Sequence, residues 1–89
     1  MTADTERLRR MLADMISQVS EGEIGTEDAL AGDYTLSALG LTSLAQIRLI
    51  DAIEDTFGVE VDLSGDLAVF ERVDTLADHL AGLLGEPTQ

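Results

Sequence analysis

The chain has no cysteine and no tryptophan, and only one proline, one tyrosine and two phenylalanines among 89 residues. Without cysteine there can be no disulfide, thiol catalyst or cysteine-ligated zinc site. No apolar run is long enough for a transmembrane helix, and the polar residues 1–10 lack the apolar stretch of a signal peptide. We therefore predict a single domain, residues 1–89, in a cytoplasmic and monomeric protein with a small core.

Lysine is also absent, and five arginines stand against 18 acidic residues, which gives a formal net charge of -13. Nucleic acids and anionic membranes are disfavoured as partners, because binding to their phosphates depends on Lys and Arg. Such a charge instead steers a protein toward basic protein surfaces. Hydrophobic residues still make up 45% of the chain. Because they recur periodically, we predict a folded domain rather than a disordered one.

Apolar residues spaced three and four apart predict an all-α protein with three main helices and one short helix, at about 5–19, 43–57, 66–70 and 73–84. Thr2 or Asp4 is expected to cap the first helix, Gly58 to end the second and Asp74 to cap the last. The expected buried side of the last helix comprises Val73, Leu76, Ala77, Leu80, Leu83 and Leu84.

A long connection, residues 20–42, separates the first two main helices. Loops of this length are uncommon in small domains unless they pack on the core or are functional. We expect residues 26–31 to form a helical turn, and the connection to pack through its apolar residues Ile24, Leu30, Tyr34, Leu36, Leu39 and Leu41.

The segment Leu-Gly-Leu-Thr-Ser-Leu, residues 39–44, comes immediately before an amphipathic helix. It resembles the attachment motif of acyl carrier proteins, Leu-Gly-Leu-Asp-Ser-Leu, and residues 47–61 resemble the rest of that family's second helix. The resemblance covers essentially the whole chain and implies a small four-helix bundle of the acyl-carrier type. It also implies that Ser43 carries a 4'-phosphopantetheine arm derived from coenzyme A. Thr42 departs from the motif, because acyl carriers usually have Asp at that place.

A serine at the start of a helix suits this attachment, since free backbone N–H groups and the positive end of the helix dipole favour a phosphodiester. We expect Leu41 and Leu44 to anchor the motif to the bundle. The alternative is that Ser43 is only an N-cap; Thr42 could equally provide that cap.

The outward face of the second helix should present Ala45, Arg48, Asp51, Glu54 and Asp55, next to Thr42 and Leu44. The resemblance implies that partner enzymes dock here. They would include a phosphopantetheinyl transferase, an adenylating or acyl-transferring loading enzyme, and downstream synthase, condensation or tailoring enzymes. The alternative is an ordinary solvated face, with Arg48 paired to Asp51 or Asp55 at helical spacing.

Catalytic and metal-binding alternatives fit the residues poorly. A serine hydrolase needs a base beside its nucleophile, yet His79 is the only histidine and no Gly-x-Ser-x-Gly elbow is present. Asp62, Ser64 and Asp66 have calcium-loop spacing, but the later loop positions lack the required Gly and Glu. The absence of lysine excludes a P-loop.

The resemblance thus predicts a discrete, non-catalytic carrier that holds acyl or aminoacyl intermediates as thioesters and presents them to separate enzymes. The Thr42 departure favours polyketide or nonribosomal peptide metabolism. A fatty-acid carrier, a D-alanyl carrier and a non-carrier acidic interaction module of the same fold remain as alternatives.

Overall fold

A computed structural model describes residues 3–61 and 67–84 of the chain. In chain order the helices are α1 (Ala3–Val19), α2 (Thr26–Ala31), α3 (Leu36–Leu39) and α4 (Ser43–Phe57), then a 3₁₀ helix (Leu67–Glu71) and α5 (Val73–Leu83). The predicted all-α class and its three main helices are confirmed. Among the described residues, no helix is long and apolar enough to cross a membrane.

The core lies between α1 and the two other long helices, α4 and α5, both of which pack against it. Each of these helices turns a stripe of apolar side chains inward, as residues three and four apart share one helix face. Fully burying a Leu or Ile side chain contributes about 1.5–3 kcal/mol, so this stripe dominates the stability of so small a domain. Buried on the three helices are Leu8, Leu12, Ala13, Ile16, Ala45, Leu49, Ile50, Ile53, Val73, Leu76, Ala77 and Leu80.

The long connection packs on the core as predicted. Ile24, Leu36 and Leu41 are buried, and Leu30 and Leu39 pack against the core. Tyr34 is the exception: its side chain is 65% exposed, so its predicted role as an anchor is wrong.

Two short helices lie within this connection. The predicted turn at residues 26–31 is α2, whereas α3 was not predicted. Thr35 caps α3, because its hydroxyl oxygen accepts a hydrogen bond from the Ala38 N–H at 3.2 Å. Ser37 donates its backbone N–H and its hydroxyl to the Glu71 carboxylate, at 3.2 and 2.9 Å. These bonds connect α3, and therefore the approach to Ser43, to the 3₁₀ helix.

The N-terminal half of α1 is connected to α2 and α5 through Arg9. Its Nε donates to Asp74 Oδ1 at 2.6 Å, its Nη2 donates to the Leu30 carbonyl at 3.2 Å, and Glu6 pairs with it at 3.3 Å. The hydrogen bond to Asp74 raises the pKa of Arg9 above its usual value.

Several helix ends differ from the predictions. Asp4 lies inside α1 rather than before it, and Thr2 lies outside the described residues. Arg72, not Asp74, is the residue at the start of α5, and its side chain makes no cap hydrogen bond; Asp74 instead pairs with Arg9 in the first turn. Gly58 ends α4 in the left-handed conformation, φ 68°, as predicted.

The short third helix and the C-terminal end of α5 also differ from the predictions. The predicted helix at residues 66–70 corresponds to the 3₁₀ helix, and its first predicted residue, Asp66, lies outside the described residues. Leu83 and Leu84 were expected on the buried side of α5, but they are 42% and 38% exposed. The core ends one turn earlier, at Leu80.

Candidate functional site

Ser43 is the first residue of α4, and its side chain is exposed. The preceding Thr42 has extended backbone angles, and its Oγ1 accepts a hydrogen bond from the Ala45 N–H at 3.1 Å. Of the two residues that could cap the helix, Thr42 is therefore the one that does. No hydrogen bond within the described residues engages the Ser43 hydroxyl, so the structure leaves it available for reaction.

The chain reaches Ser43 through a tight helix end. Gly40 closes α3 with φ 114°, a left-handed conformation that glycine adopts without steric cost. The Gly40 N–H donates to the Ser37 carbonyl at 3.1 Å, and the Leu41 N–H donates to the Leu36 carbonyl at 2.9 Å. Leu41 then enters the core, at 7% exposure. Its predicted role as an anchor is confirmed, and it places the following residues, Thr42 and Ser43, at the surface.

Leu44 does not anchor the other side of the motif. Its side chain is 60% exposed, and Ile47, one turn further on, is 53% exposed. The apolar residues of α4 are spread over more of the helix circumference than the core covers. Leu44 and Ile47 lie on the part that the core leaves uncovered. Leu44 was expected both to anchor the motif and to lie next to the outward face, and only the second expectation agrees with its exposure. The exposure of Ile47 was not predicted. The sequence feature that could have predicted this exposure is that α4 has more apolar residues than a single buried stripe can hold.

The predicted outward face of α4 is partly right. Arg48, Asp51 and Asp55 are exposed, whereas Ala45 is buried at 7% exposure, in line with Leu49 one turn later. The prediction that Ala45 lies on the outward face is therefore wrong. The exposed face consists of Leu44, Ile47, Arg48, Asp51 and Asp55, together with Ser43 and Thr42 at its start.

Glu54 was also predicted to face outward, but it is half-buried and has an internal partner. Its Oε2 accepts a hydrogen bond from the Val61 N–H at 2.9 Å. Val61 is buried and follows the turn at Gly58. Glu54 therefore holds the segment that leaves α4, and it contributes to the fold at the end of the helix far from Ser43.

Arg48 pairs across the bundle rather than along its own helix. Its Nη1 lies 4.0 Å from Glu21 Oε2, and both side chains are mainly exposed. The pairing with Asp51 or Asp55, which belonged to the alternative of an ordinary solvated face, is not what the structure shows. Glu21 has φ 55°, the left-handed conformation, just beyond the end of α1. The buried Ser20 supports this turn, because its hydroxyl donates to the Ser17 carbonyl and accepts from the Ile24 N–H.

A cleft of about 360 Å³ lies between the end of α1 and the start of α4. We call it the α1–α4 cleft. Residues on both sides of Ser43 line it, and so does the turn that carries Glu21. The lining residues are Val19, Ser20, Glu21, Glu23, Gly40, Thr42, Leu44, Ala45 and Arg48.

The start of α4 fits a phosphodiester. The first N–H groups of a helix have no partner within it, and within the described residues nothing accepts from the N–H of Ser43 or Leu44. Such groups, with the positive end of the helix dipole, stabilise a phosphate ester. A group attached through a phosphate to the Ser43 oxygen would meet these donors without displacing any bond.

Other chemistry has less support at this position. His79, on α5, packs edge-to-face against Phe70 with ring centroids 6.5 Å apart, and no bond connects it to Ser43. Within residues 3–61 and 67–84, no group of His, Asp and Glu side chains is suited to hold a metal ion. The calcium-like residues Asp62, Ser64 and Asp66 lie outside the described residues.

Comparison with known proteins agrees with this arrangement. Residues 6–80 match the family model described as "Phosphopantetheine attachment site". The chain is 33% identical over 82 residues to a protein named "Acyl carrier protein" from Streptomyces coelicolor, and the alignment covers 92% of this chain and 83% of that relative. No solved structure gives a significant match.

Proposed function

The chain belongs to the acyl carrier protein family, whose cofactor is 4'-phosphopantetheine, and from that premise we propose that Ser43 is the residue that carries the arm. The observation that carries this proposal is the position of Ser43: exposed at the first residue of α4, with its hydroxyl outside the helix cap. Thr42 makes the cap instead, so modification of Ser43 costs the helix no hydrogen bond.

The protein's own residues do three things in this role. Thr42 and Gly40 shape the turn that presents the hydroxyl, and Leu41 fixes that turn to the core. The N–H groups at the start of α4 stabilise the phosphodiester. When attached, the arm supplies a thiol on which an acyl or aminoacyl group is held as a thioester. A transferase activates the hydroxyl, so the carrier itself needs no base and is non-catalytic.

The exposed face of α4 is the proposed docking surface for partner enzymes. It combines two apolar side chains, Leu44 and Ile47, with the charged Arg48, Asp51 and Asp55. Interfaces of this kind bury apolar residues at their centre and keep charges at the rim. The partners are a phosphopantetheinyl transferase, an adenylating or acyl-transferring loading enzyme, and synthase, condensation or tailoring enzymes downstream.

For the cargo, the name of the Streptomyces relative favours acyl over aminoacyl groups. Thr42 stands where acyl carriers usually have Asp, and this departure supports a carrier of polyketide or nonribosomal peptide metabolism over a fatty-acid or D-alanyl carrier. The chain as a whole, residues 1–89, would act as one carrier domain.

The test is intact-mass measurement after incubation with coenzyme A and a broad-specificity transferase. We expect a mass increase of one phosphopantetheinyl group, which peptide fragmentation should map to Ser43 and not to Ser17, Ser20, Ser37 or Ser64. A folded protein that stays unmodified would favour an acidic interaction module of the same fold. Modification at another serine would overturn the assignment of Ser43.

A further inference from the structure

Thr42 and Leu44, the chain neighbours of Ser43, line the α1–α4 cleft, whereas Ser43 itself does not, and the lining has an apolar part and a charged part. Val19, Leu44 and Ala45 supply apolar surface, and Glu21, Glu23 and Arg48 supply charged groups. Apolar walls with a few placed polar groups are typical of small-molecule sites.

We propose that this cleft binds the pantoyl half of the arm, the unit next to the phosphate; this inference rests on the proposed attachment at Ser43. The pantoyl unit carries two methyl groups on one carbon, then a hydroxyl and an amide. The methyl groups match the apolar surface of Val19, Leu44 and Ala45. The Arg48 guanidinium donates to the hydroxyl or the amide carbonyl, and the Glu21 or Glu23 carboxylate accepts from the hydroxyl or the amide N–H.

The length of the cleft along α4 indicates which half of the arm it contacts. Arg48 is five residues beyond Ser43, which is about 7.5 Å along the helix axis. The volume of about 360 Å³ lies within the range for small-molecule sites, roughly 300–1,000 Å³. The thiol end and its cargo therefore project beyond Arg48, where a partner docked on the exposed face of α4 can reach them. The cleft directs the arm and does not enclose a long acyl chain.

The Arg48–Glu21 pair can accept this occupant at small cost. Both side chains are mainly exposed, 57% and 81%, and their nearest atoms are 4.0 Å apart. Exposed pairs of this kind contribute little to stability. Their reorganisation around the arm therefore leaves the fold unchanged.

The test is isotope-filtered nuclear Overhauser spectroscopy on the holo protein, with ¹³C,¹⁵N-labelled protein and an unlabelled arm. Intact mass first establishes that the sample is fully modified. We expect cross-peaks from the two pantoyl methyl groups to the Val19 and Leu44 methyl groups. We also expect amide shift changes between apo and holo protein at Val19, Glu21 and Glu23, which are far from Ser43 in sequence.

Matched variants on α4 show whether the cleft residues are responsible. Leu44→Ala and Arg48→Gln change the cleft, whereas Ile47→Ala and Asp51→Asn change equally exposed neighbours that do not line it. We expect the cleft variants to weaken the Val19 cross-peaks about threefold, as when the bound fraction falls from about three quarters to about one quarter. The two control variants should leave them unchanged.

Two results would overturn the proposal. One is holo protein whose arm shows no contact with Val19 and whose shift changes are confined to residues 40–46. The other is an equal loss of cross-peaks in the cleft and control variants. Neither result would affect the assignment of Ser43, which intact mass decides separately.

Discussion

The two ends of α1 differ in how they are connected to the rest of the bundle. At the N-terminal end, Arg9 contacts Asp74 at 2.6 Å, and it also bonds to the Leu30 carbonyl and Glu6. At the C-terminal end, Glu21 meets Arg48 at 4.0 Å, and both are mainly exposed. We call these the Arg9 end and the Ser43 end.

The contacts that connect the helices lie at the Arg9 end, and the residues of the proposed function lie at the Ser43 end. The Arg9 end connects α1 with α2 and α5 through several bonds to one side chain; Arg9 is 23% exposed, and its partner Asp74 is 65% exposed. The Ser43 end leaves a hydroxyl, two apolar side chains and a cleft exposed, and these form the proposed attachment site and docking surface. Surfaces that bind other molecules cannot also be filled by the protein's own contacts.

Near neutral pH, Arg9 does not change its protonation state, so its contribution to the stability of the fold does not vary with pH there. Its hydrogen bond to Asp74 raises the pKa of this guanidinium. A group with a raised folded-state pKa stabilises the fold fully below its unfolded pKa, and the contribution is lost as pH rises through the folded value. For an arginine, both values lie far above neutral pH.

The largest expected effect is at the Ser43 end. Ser43→Ala should abolish attachment of the arm completely while changing the free energy of unfolding by no more than about 0.5 kcal/mol, because Thr42 makes the cap. Intact mass and urea denaturation measure the two quantities. As a control, Ser37→Ala should keep full modification although it removes one bond to Glu71. Continued labelling of Ser43→Ala would refute the site.

Two arginines provide a matched test of stability. Arg9→Ala should lower the free energy of unfolding by about 1–2 kcal/mol, because it removes charged hydrogen bonds that connect three helices. Arg48→Ala makes the same change in charge but should cost no more than about 0.5 kcal/mol. Urea denaturation of both variants measures these changes in the free energy of unfolding. Equal destabilisation would show that the two ends of α1 do not differ as described.

Charge reversals on α4 and on α5 test whether the exposed face of α4 has a special role in binding partners. Asp51→Arg, on the exposed face of α4, should lower kcat/KM of a cognate loading enzyme by roughly three- to tenfold, because it opposes a basic partner surface. Asp78→Arg on α5 changes the net charge equally and should have a smaller effect. Higher salt should slow association of the wild type, since exposed charges are screened over about 10 Å at 0.1 M. If both reversals act equally, only the overall acidity matters.

The smallest effect is expected for Thr42→Asp. Asp is as good an N-cap as Thr, so the free energy of unfolding should change by less than about 0.5 kcal/mol. The change restores the usual acyl-carrier motif, and we expect faster modification by a fatty-acid-type transferase with little change for a broad-specificity one. Time courses of intact mass with each enzyme measure this. Unchanged rates with both would show that Thr42 does not set transferase preference.

The sequence predicted the main helices well because their apolar residues repeat with the helical period. It also placed Ser43 at the start of α4 and Arg48, Asp51 and Asp55 on the exposed face. It failed at Ala45 and Glu54 and in the anchoring role given to Leu44, because periodicity alone does not say which of several candidate residues the neighbouring helices cover. The pairing of Arg48 with Glu21 was missed for a related reason, since the two residues are far apart in sequence and helical spacing relates only near neighbours.

The amino-acid sequence by itself therefore determined the helical class, the three main helices and a motif with its serine at a helix start. These follow from local spacing and from backbone preferences such as that of Gly58. Only the tertiary structure decided that Leu44 and Ile47 remain exposed, and that α1 and α4 leave a cleft lined by Thr42 and Leu44, the neighbours of Ser43. Each of these depends on where helices that are distant in sequence pack together, because packing decides which side chains are covered and which remain accessible.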